Sequence, residues 1–340
     1  MRGAAARLGL RVDRLRARPS SWAGLLAVAL VLAVALAGSL GAARVSLGEL
    51  PRAVMDAAHP AHAILWDVRL PRVVAGALVG GALAVAGALM QAAVRNPLAD
   101  PGLTGVTAGA GLGGLLAIVL WPEHPALVPV LAYVGSLAAL AAVLASAWGG
   151  RRLAGPLRLV LSGVAVQAIV FSLLALVNFA FADRAPAFVA FTIGSLAGAG
   201  WDEVARIALP TAFAATLALF SARTLDLLLL DDGSAGGLGL SVVRARVAAA
   251  CLAALLAAAA ASAAGLVGFV GLVVPNWIRV VTGPSHRILL PLSLLAGATL
   301  LVAADTTARM VAAPLELPVG ALLALVGGPY FLWVLWSRVA

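Results

Sequence analysis

Apolar segments long enough to cross a membrane recur along almost all of this 340-residue chain, and that repetition leaves few folds open. A helix needs about 20 apolar residues to cross a hydrocarbon layer roughly 30 Å thick. Membrane-spanning strands would instead alternate in segments of about ten residues, and no such pattern occurs. Composition agrees, since 63% of the residues are hydrophobic and only 11% are charged, too few polar groups to cover a water-soluble globule. The expected fold class is all-α: a polytopic membrane bundle of about ten transmembrane helices forming one transmembrane domain over residues 1–340.

Spans are expected near 22–41, 72–94, 103–121, 126–148, 158–181, 188–220 with a polar break, 244–264, 266–282, 288–308 and 318–336. The run 247–275 exceeds one span and contains Gly265, Gly268, Gly271 and Pro275, so a break and reversal is expected near Gly265. One long tilted helix is the competing reading. The basic stretch 1–21 followed by an apolar run resembles a secretory signal, but the run is longer than a signal core and more membrane follows. A retained first helix is expected.

All 23 basic residues are arginine. Without lysine there is no P-loop lysine and no Schiff base, so any ATP chemistry must lie on another chain. The +9 net charge reads as topology rather than nucleic-acid binding. Placing the N-terminus inside puts sixteen arginines in cytoplasmic segments and seven in outer ones (Arg44, Arg52, Arg69, Arg72, Arg184, Arg206 and Arg309), while most acids fall outside. Both termini are therefore expected in the cytoplasm of a bacterial inner membrane. The single cysteine, Cys251, lies in an apolar run and supports neither a disulfide framework nor a cysteine metal site.

Helix faces carry small residues one helical turn apart, four residues at Gly76, Gly80 and Ala84 and three more to Gly87, which permits close backbone approach where lipid supplies no hydrophobic drive. Four segments carry more than packing. Arg69–Arg72 sets two arginines at the outer entrance of a span, against the inside bias; they either snorkel to headgroups or meet an acidic surface. Arg95–Gly102 is a stiff loop with two prolines. Residues 223–243 mix apolar, acidic and glycine residues and read as one or two short amphipathic helices on the membrane face. Gly265–Arg279 reads as a broken helix of the kind that lines transport pathways.

Together these segments resemble the FecCD family of ABC-importer permeases. The matching text comprises Arg69–Arg72, Gly87–Gln91, Asn96–Gly102, Gly268–Pro275, His286–Pro291, Ala304–Arg309 and Glu316–Gly320, in unbroken order from about residue 45 to the C-terminus. The resemblance implies a homodimeric pore, completed by a second copy of the chain, two cytoplasmic ABC ATPase subunits and a periplasmic substrate-binding protein. It implies no cofactor in this chain, with ATP and magnesium on the ATPases. Docking of the binding protein maps to Arg69, Arg72 and Arg309, whose guanidinium forks suit glutamates. ATPase coupling maps to Leu225, Asp226, Leu230, Asp231, Asp232, Gly233, Gly236, Leu238 and Gly239. The translocation gate maps to Asn96, Pro97 and Leu98, with a second element at Gly155, Pro156 and Leu157.

The chain departs from the family pattern in three places. Gly236 stands where the family carries arginine, and Asp231-Asp232 where it carries a glycine-glutamate pair. The gate loop Gly155–Leu157 lacks the usual hydroxyls, and Asn276 replaces the usual histidine. The resemblance implies import of an iron chelate or corrinoid. Among these, the stretch Asn178–Arg184 looks like haem-permease members, with Arg184 either meeting a haem propionate or pairing with Asp183, and haem is favoured over ferric siderophore, then cobalamin. The alternative class is an ion-coupled secondary transporter, which would need an embedded acid, and Asp305 is the acid nearest a span interior. His59, His62, His124 and His286 read as loop residues and no catalysis is assigned to them.

Overall fold

The computed structural model describes residues 19–41, 45–148, 156–182, 191–313 and 315–339. Among them the regular structure is all helical, with no strand. Thirteen helices are α1 (Pro19–Ser39), α2 (Leu50–Met55), α3 (Leu70–Val94), α4 (Val106–Leu120), α5 (Leu127–Trp148), α6 (Pro156–Ala180), α7 (Trp201–Phe220), α8 (Ala222–Leu228), α9 (Asp232–Gly237), α10 (Val242–Ala264), α11 (Val270–Thr282), α12 (His286–Val311) and α13 (Val319–Val339). Seven of the helical stretches are long and apolar enough to span a membrane, and α4, α11 and α13 add shorter apolar segments. The molecule is a polytopic membrane bundle.

α3 is the axis of the bundle, with α12, α10, α11 and α7 packed around it. From Gly80 to Val94 every residue of α3 is buried, whereas most described residues of α1 and α6 are not buried within the chain. Small residues make this possible. A Cβ on Gly80 would overlap the carbonyl of Gly297 on α12, and one on Gly87 would overlap the backbone of Gly271 on α11. One helix thus sets its small residues against two partners. α4 and α5 approach in the same manner at Gly109 and Gly135.

The expected break falls at Gly265, which takes φ 66°, a conformation that glycine adopts without penalty. The following span is shorter than its expected range 266–282. The helix begins only at Val270, after Phe269 at φ 68°, and its 13 residues rise about 20 Å. The 188–220 segment has its expected polar break at residues 194–200, with Gly194 and Gly198 at φ 79°, between a helical stretch described over 191–193 and the helix from Trp201. At the other boundary the helix starts earlier than expected: a wide π turn, Ile64–Arg69, runs directly into α3 ahead of Arg72. Two short helices, α8 and α9, occupy the 223–243 segment.

Candidate functional site

Charged side chains are rare in this bundle, and those it buries gather at the two ends of the α3–α12 pair. At the first end, Arg72 lies in the opening turn of α3 and is 6% exposed. Its Nε donates to Asp305 Oδ2 at 3.0 Å and its Nη2 to Oδ1 at 2.9 Å, a two-pronged fork, while Nη1 donates to Glu316 Oε2 at 2.7 Å. Asp305 is 4% exposed on α12. One turn further, Arg309 holds its Nε 3.3 Å from Asp305 Oδ2 and donates from Nη2 to Thr306 Oγ1 at 3.3 Å. Arg69, buried in the π turn, donates to the carbonyls of Gly38 and Ser39, the last residues of α1. Those carbonyls have no partner inside their own helix, so the arginine closes the helix end.

The structure thus brings Arg69, Arg72 and Arg309 together. It also shows two carboxylates that the site reading missed, Asp305 and Glu316, which occupy the Arg72 guanidinium from within the chain. The Asp305/Arg309 spacing of four on one helix face was the available signal. Proximity to Arg72, 233 residues away in sequence, carried none.

At the opposite end, α8 and α9 lie across the C-terminus of α3. Arg95, the α3 C-cap at φ 52°, donates to Leu230 O at 3.0 Å and pairs with Asp232 at 2.5 Å. Asp232 also accepts from both terminal nitrogens of Arg246 on α10, at 2.6 and 2.9 Å. That contact, with Arg95 behind it, holds the Asp232 carboxyl below its ordinary range. Asp231 caps α9, accepting from the Ser234 amide at 2.9 Å and hydroxyl at 2.7 Å, and these bonds lower its carboxyl as well.

The coupling residues divide into two sets. Leu230, Asp231, Asp232, Gly233, Gly236, Leu238 and Gly239 are exposed. Leu225 is 1% exposed, and Asp226 turns toward the bundle rather than outward. Its Oδ1 lies 2.8 Å from His286 Nδ1 and accepts from the His286 backbone N–H at 2.7 Å. His286, read from sequence as a loop histidine, is instead the first residue of α12 and completely buried. Its pairing with Asp226 spans 60 positions and left no local trace in the sequence.

The Asn96–Leu98 loop sits beside this end. Asn96 Oδ1 accepts from the Leu98 amide at 2.9 Å, and the Pro97 carbonyl accepts from Asn276 Nδ2 at 2.8 Å. A relay continues inward: Arg279 donates to Asn276 Oδ1 at 3.1 Å and to Gln91 Oε1 at 2.8 Å. Asn276 therefore ties the proline loop to α11. Asp100 caps the turn Pro101–Thr104 through the Gly102 amide at 2.8 Å, and its burial raises the carboxyl against that bond. Gly155 and Arg184 lie outside the described residues, and of Pro156 and Leu157 only the helical backbone is described. A cleft of about 520 Å³ between α4, α5 and α6 is lined by apolar and glycine residues, Leu112, Trp121 and Val170 among them, and offers no charged group to a ligand.

Residues 25–337 match the FecCD transport family. The chain is 41% identical over 318 residues to the Fe(3+) dicitrate transport system permease protein FecD of Escherichia coli, covering 91% of this chain and 98% of that protein. It is 39% identical over 331 residues to the hemin transport system permease protein HmuU of Yersinia pestis, covering 94% and 96%. It is 38% identical over 280 residues to the cobalamin import system permease protein BtuC of Halobacterium salinarum, covering 82% and 74%. Among solved structures, an inward-facing conformation of a putative metal-chelate type ABC transporter superposes with a TM-score of 0.84 at 28% identity, over 94% of this chain and 99% of the other.

Proposed function

The chain belongs to the FecCD transport family, and from that premise we propose that it forms half of a homodimeric pore importing an iron chelate, powered by two ATPase subunits on the cytoplasmic side. The family is one of ABC-importer permease subunits, which do not hydrolyse ATP themselves. The observation that carries the reading is the end-to-end match with the family, over residues 25–337.

On this reading the Arg72 end faces the periplasm and the Asp232 end the cytoplasm, with both termini inside. The arginine cluster receives carboxylates of a periplasmic binding protein. Arg69 and Arg309 are about as buried as Arg72, which Asp305 and Glu316 hold in place, so the cluster supplies its positive charge from just below the surface. The exposed face of α8 and α9, from Leu229 to Gly239, seats in the ATPase. Gly236 leaves this face open where an added side chain would meet nothing, so backbone and the Asp231-Asp232 pair supply the contact. Asn96–Leu98, tied to α11 through Asn276, forms part of the cytoplasmic constriction. ATP binding closes the ATPases, the segment moves with them, and the pore switches between outward- and inward-facing states.

The substrate class is an iron chelate, with haem and ferric citrate as its first candidates. Relatives at 41% and 39% identity carry ferric dicitrate and hemin in their names, so overall similarity does not separate the two. An ion-coupled carrier finds no support, because Asp305, the acid it would titrate, is engaged in the Arg72 fork. The test is reconstitution of the permease with its ATPase and binding protein, the latter charged in parallel with ferric citrate, haem or cyanocobalamin. An iron chelate is expected to stimulate ATP hydrolysis; stimulation by cyanocobalamin alone would overturn the substrate class.

A further inference from the structure

α12 is pinned by charge at both of its ends. His286, its first residue, holds Asp226 of α8 at 2.8 Å through Nδ1, and its backbone N–H holds the same carboxylate at 2.7 Å. Asp305, about 28 Å further along the helix axis, forks Arg72 at the start of α3. The far end of α3 returns to the same short segment, where Arg95 holds Leu230 and Asp232. Between these ends the two helices touch backbone to backbone at Gly80 and Gly297. The result is a closed frame. α3 and α12 cannot slide past one another, or away from α8 and α9, without breaking the buried Arg72–Asp305 fork, a partly exposed contact of Asp226 or Asp232, or the Gly80–Gly297 seam.

The three carboxylates of the segment have distinct duties. Asp231 spends its oxygens on Ser234 of its own helix, and Asp232 grips α3 and α10. Asp226 is the one that reaches α12. The histidine facing it is more than a packing element. His286 Nε2 is buried and, among the described residues, without a hydrogen-bond partner. A leucine would fill the volume without burying an unpaired nitrogen, which carries a desolvation cost. What the imidazole offers and an apolar side chain does not is its bond to Asp226.

We infer that the Asp226–His286 pair is a positioning contact that makes the α8–α9 segment and α12 move as one, delivering displacement at the Asp232 end through the α3–α12 frame to the arginine cluster at the Arg72 end. This rests on the importer reading given above, which assigns a partner to each end. Asp226 thereby differs in role from its neighbours Asp231 and Asp232, which present charge at the exposed face.

The test compares wild type with His286→Leu in proteoliposomes containing the complete complex. The readout is the ratio of ATP hydrolysis with charged binding protein to hydrolysis without it, using ferric citrate or haem, whichever stimulates the wild type. His286→Leu is expected to assemble and to lose about ten-fold in that ratio, within the usual range of coupling between sites. A second variant, Asp226→Cys with His286→Cys in a Cys251→Ala background, is bridged by a short bis-methanethiosulfonate reagent. The bridged form is expected to be coupled, and the same sample to become uncoupled after reduction. A wild-type ratio in His286→Leu, or a double-cysteine ratio indifferent to bridging, overturns the inference. Failure of both variants to insert and assemble also overturns it, by making the pair a folding contact. A wild-type complex that shows no stimulation at all is a different result, since it overturns the importer reading itself.

Discussion

Removing Asp305 should cost more than removing its partner Arg72, and the asymmetry follows from the cluster's geometry. Asp305 lies between two arginines: it takes two hydrogen bonds from Arg72 and lies 3.3 Å from Arg309 Nε. In Asp305→Asn the two guanidinium groups face each other with Glu316 as their remaining counter-charge, and Glu316 is itself half exposed. Breaking a buried pair by deleting one partner costs about 3–5 kcal/mol. Because the Glu316 contact at 2.7 Å survives, the lower end applies, about 3 kcal/mol. Arg72→Gln, in contrast, leaves Asp305 beside Arg309 and should cost roughly half as much, about 1.5 kcal/mol. Replacing both, as Arg72→Leu with Asp305→Leu, should recover part of the loss, since apolar substitutes for a buried pair are often neutral. The assay is equilibrium unfolding of the purified protein in mild detergent, titrated with SDS and followed by tryptophan fluorescence. Equal costs for the two single variants, or a larger cost for Arg72→Gln, would refute the reasoning.

Three further outcomes are expected. Gly87→Val drives a side chain into the Gly271 backbone and should destabilise the bundle by about 3 kcal/mol in the same unfolding assay, whereas Gly268→Ala, which meets nothing nearby, should be nearly silent. Asp232 is held below its ordinary carboxyl range by Arg246, so its stabilisation is present above the unfolded carboxyl pKa of about 3.9 and is lost as pH falls through the lower folded value. Thermal unfolding from pH 7 to pH 3 should accordingly show a smaller acid loss in Asp232→Asn than in wild type, and an unchanged acid slope would contradict the assignment. Asn276→Ala releases the Pro97 carbonyl and should cost about 1 kcal/mol, read by the same SDS titration, with a change below the error of measurement counting against the tie.

Much of the architecture was legible because a membrane forces a simple code. Long apolar runs report spans, and glycine with a following proline reported the break at Gly265. Where the polar segments lay was equally plain, since Arg69–Arg72, Asn96–Gly102 and residues 223–243 interrupt an otherwise apolar text. What the sequence withheld was contact at long range. Nothing around Arg72 announces that Asp305 and Glu316 will occupy it, and nothing around His286 distinguishes a buried anchor from a solvated loop residue. Helix starts were misplaced for a related reason: residues 266–269 are as apolar as the helix they precede, and the break that delays it, with positive φ at Gly265 and Phe269 and the Leu266 amide turned to Phe191 O, leaves no mark in hydropathy. Likewise Leu225 and Leu230 have the same chemistry and opposite environments, which the packing of α8 against α12 decides.

The central claim is that this chain is a pore opened by ATP hydrolysed elsewhere. Its most direct test is accumulation of iron-55, supplied as ferric citrate or haem on the binding protein, in proteoliposomes holding permease, ATPase and enclosed or external ATP without any ion gradient. Accumulation that requires both ATP and the ATPase subunits is the predicted result. Accumulation driven by a proton gradient in vesicles that contain the permease alone would contradict it.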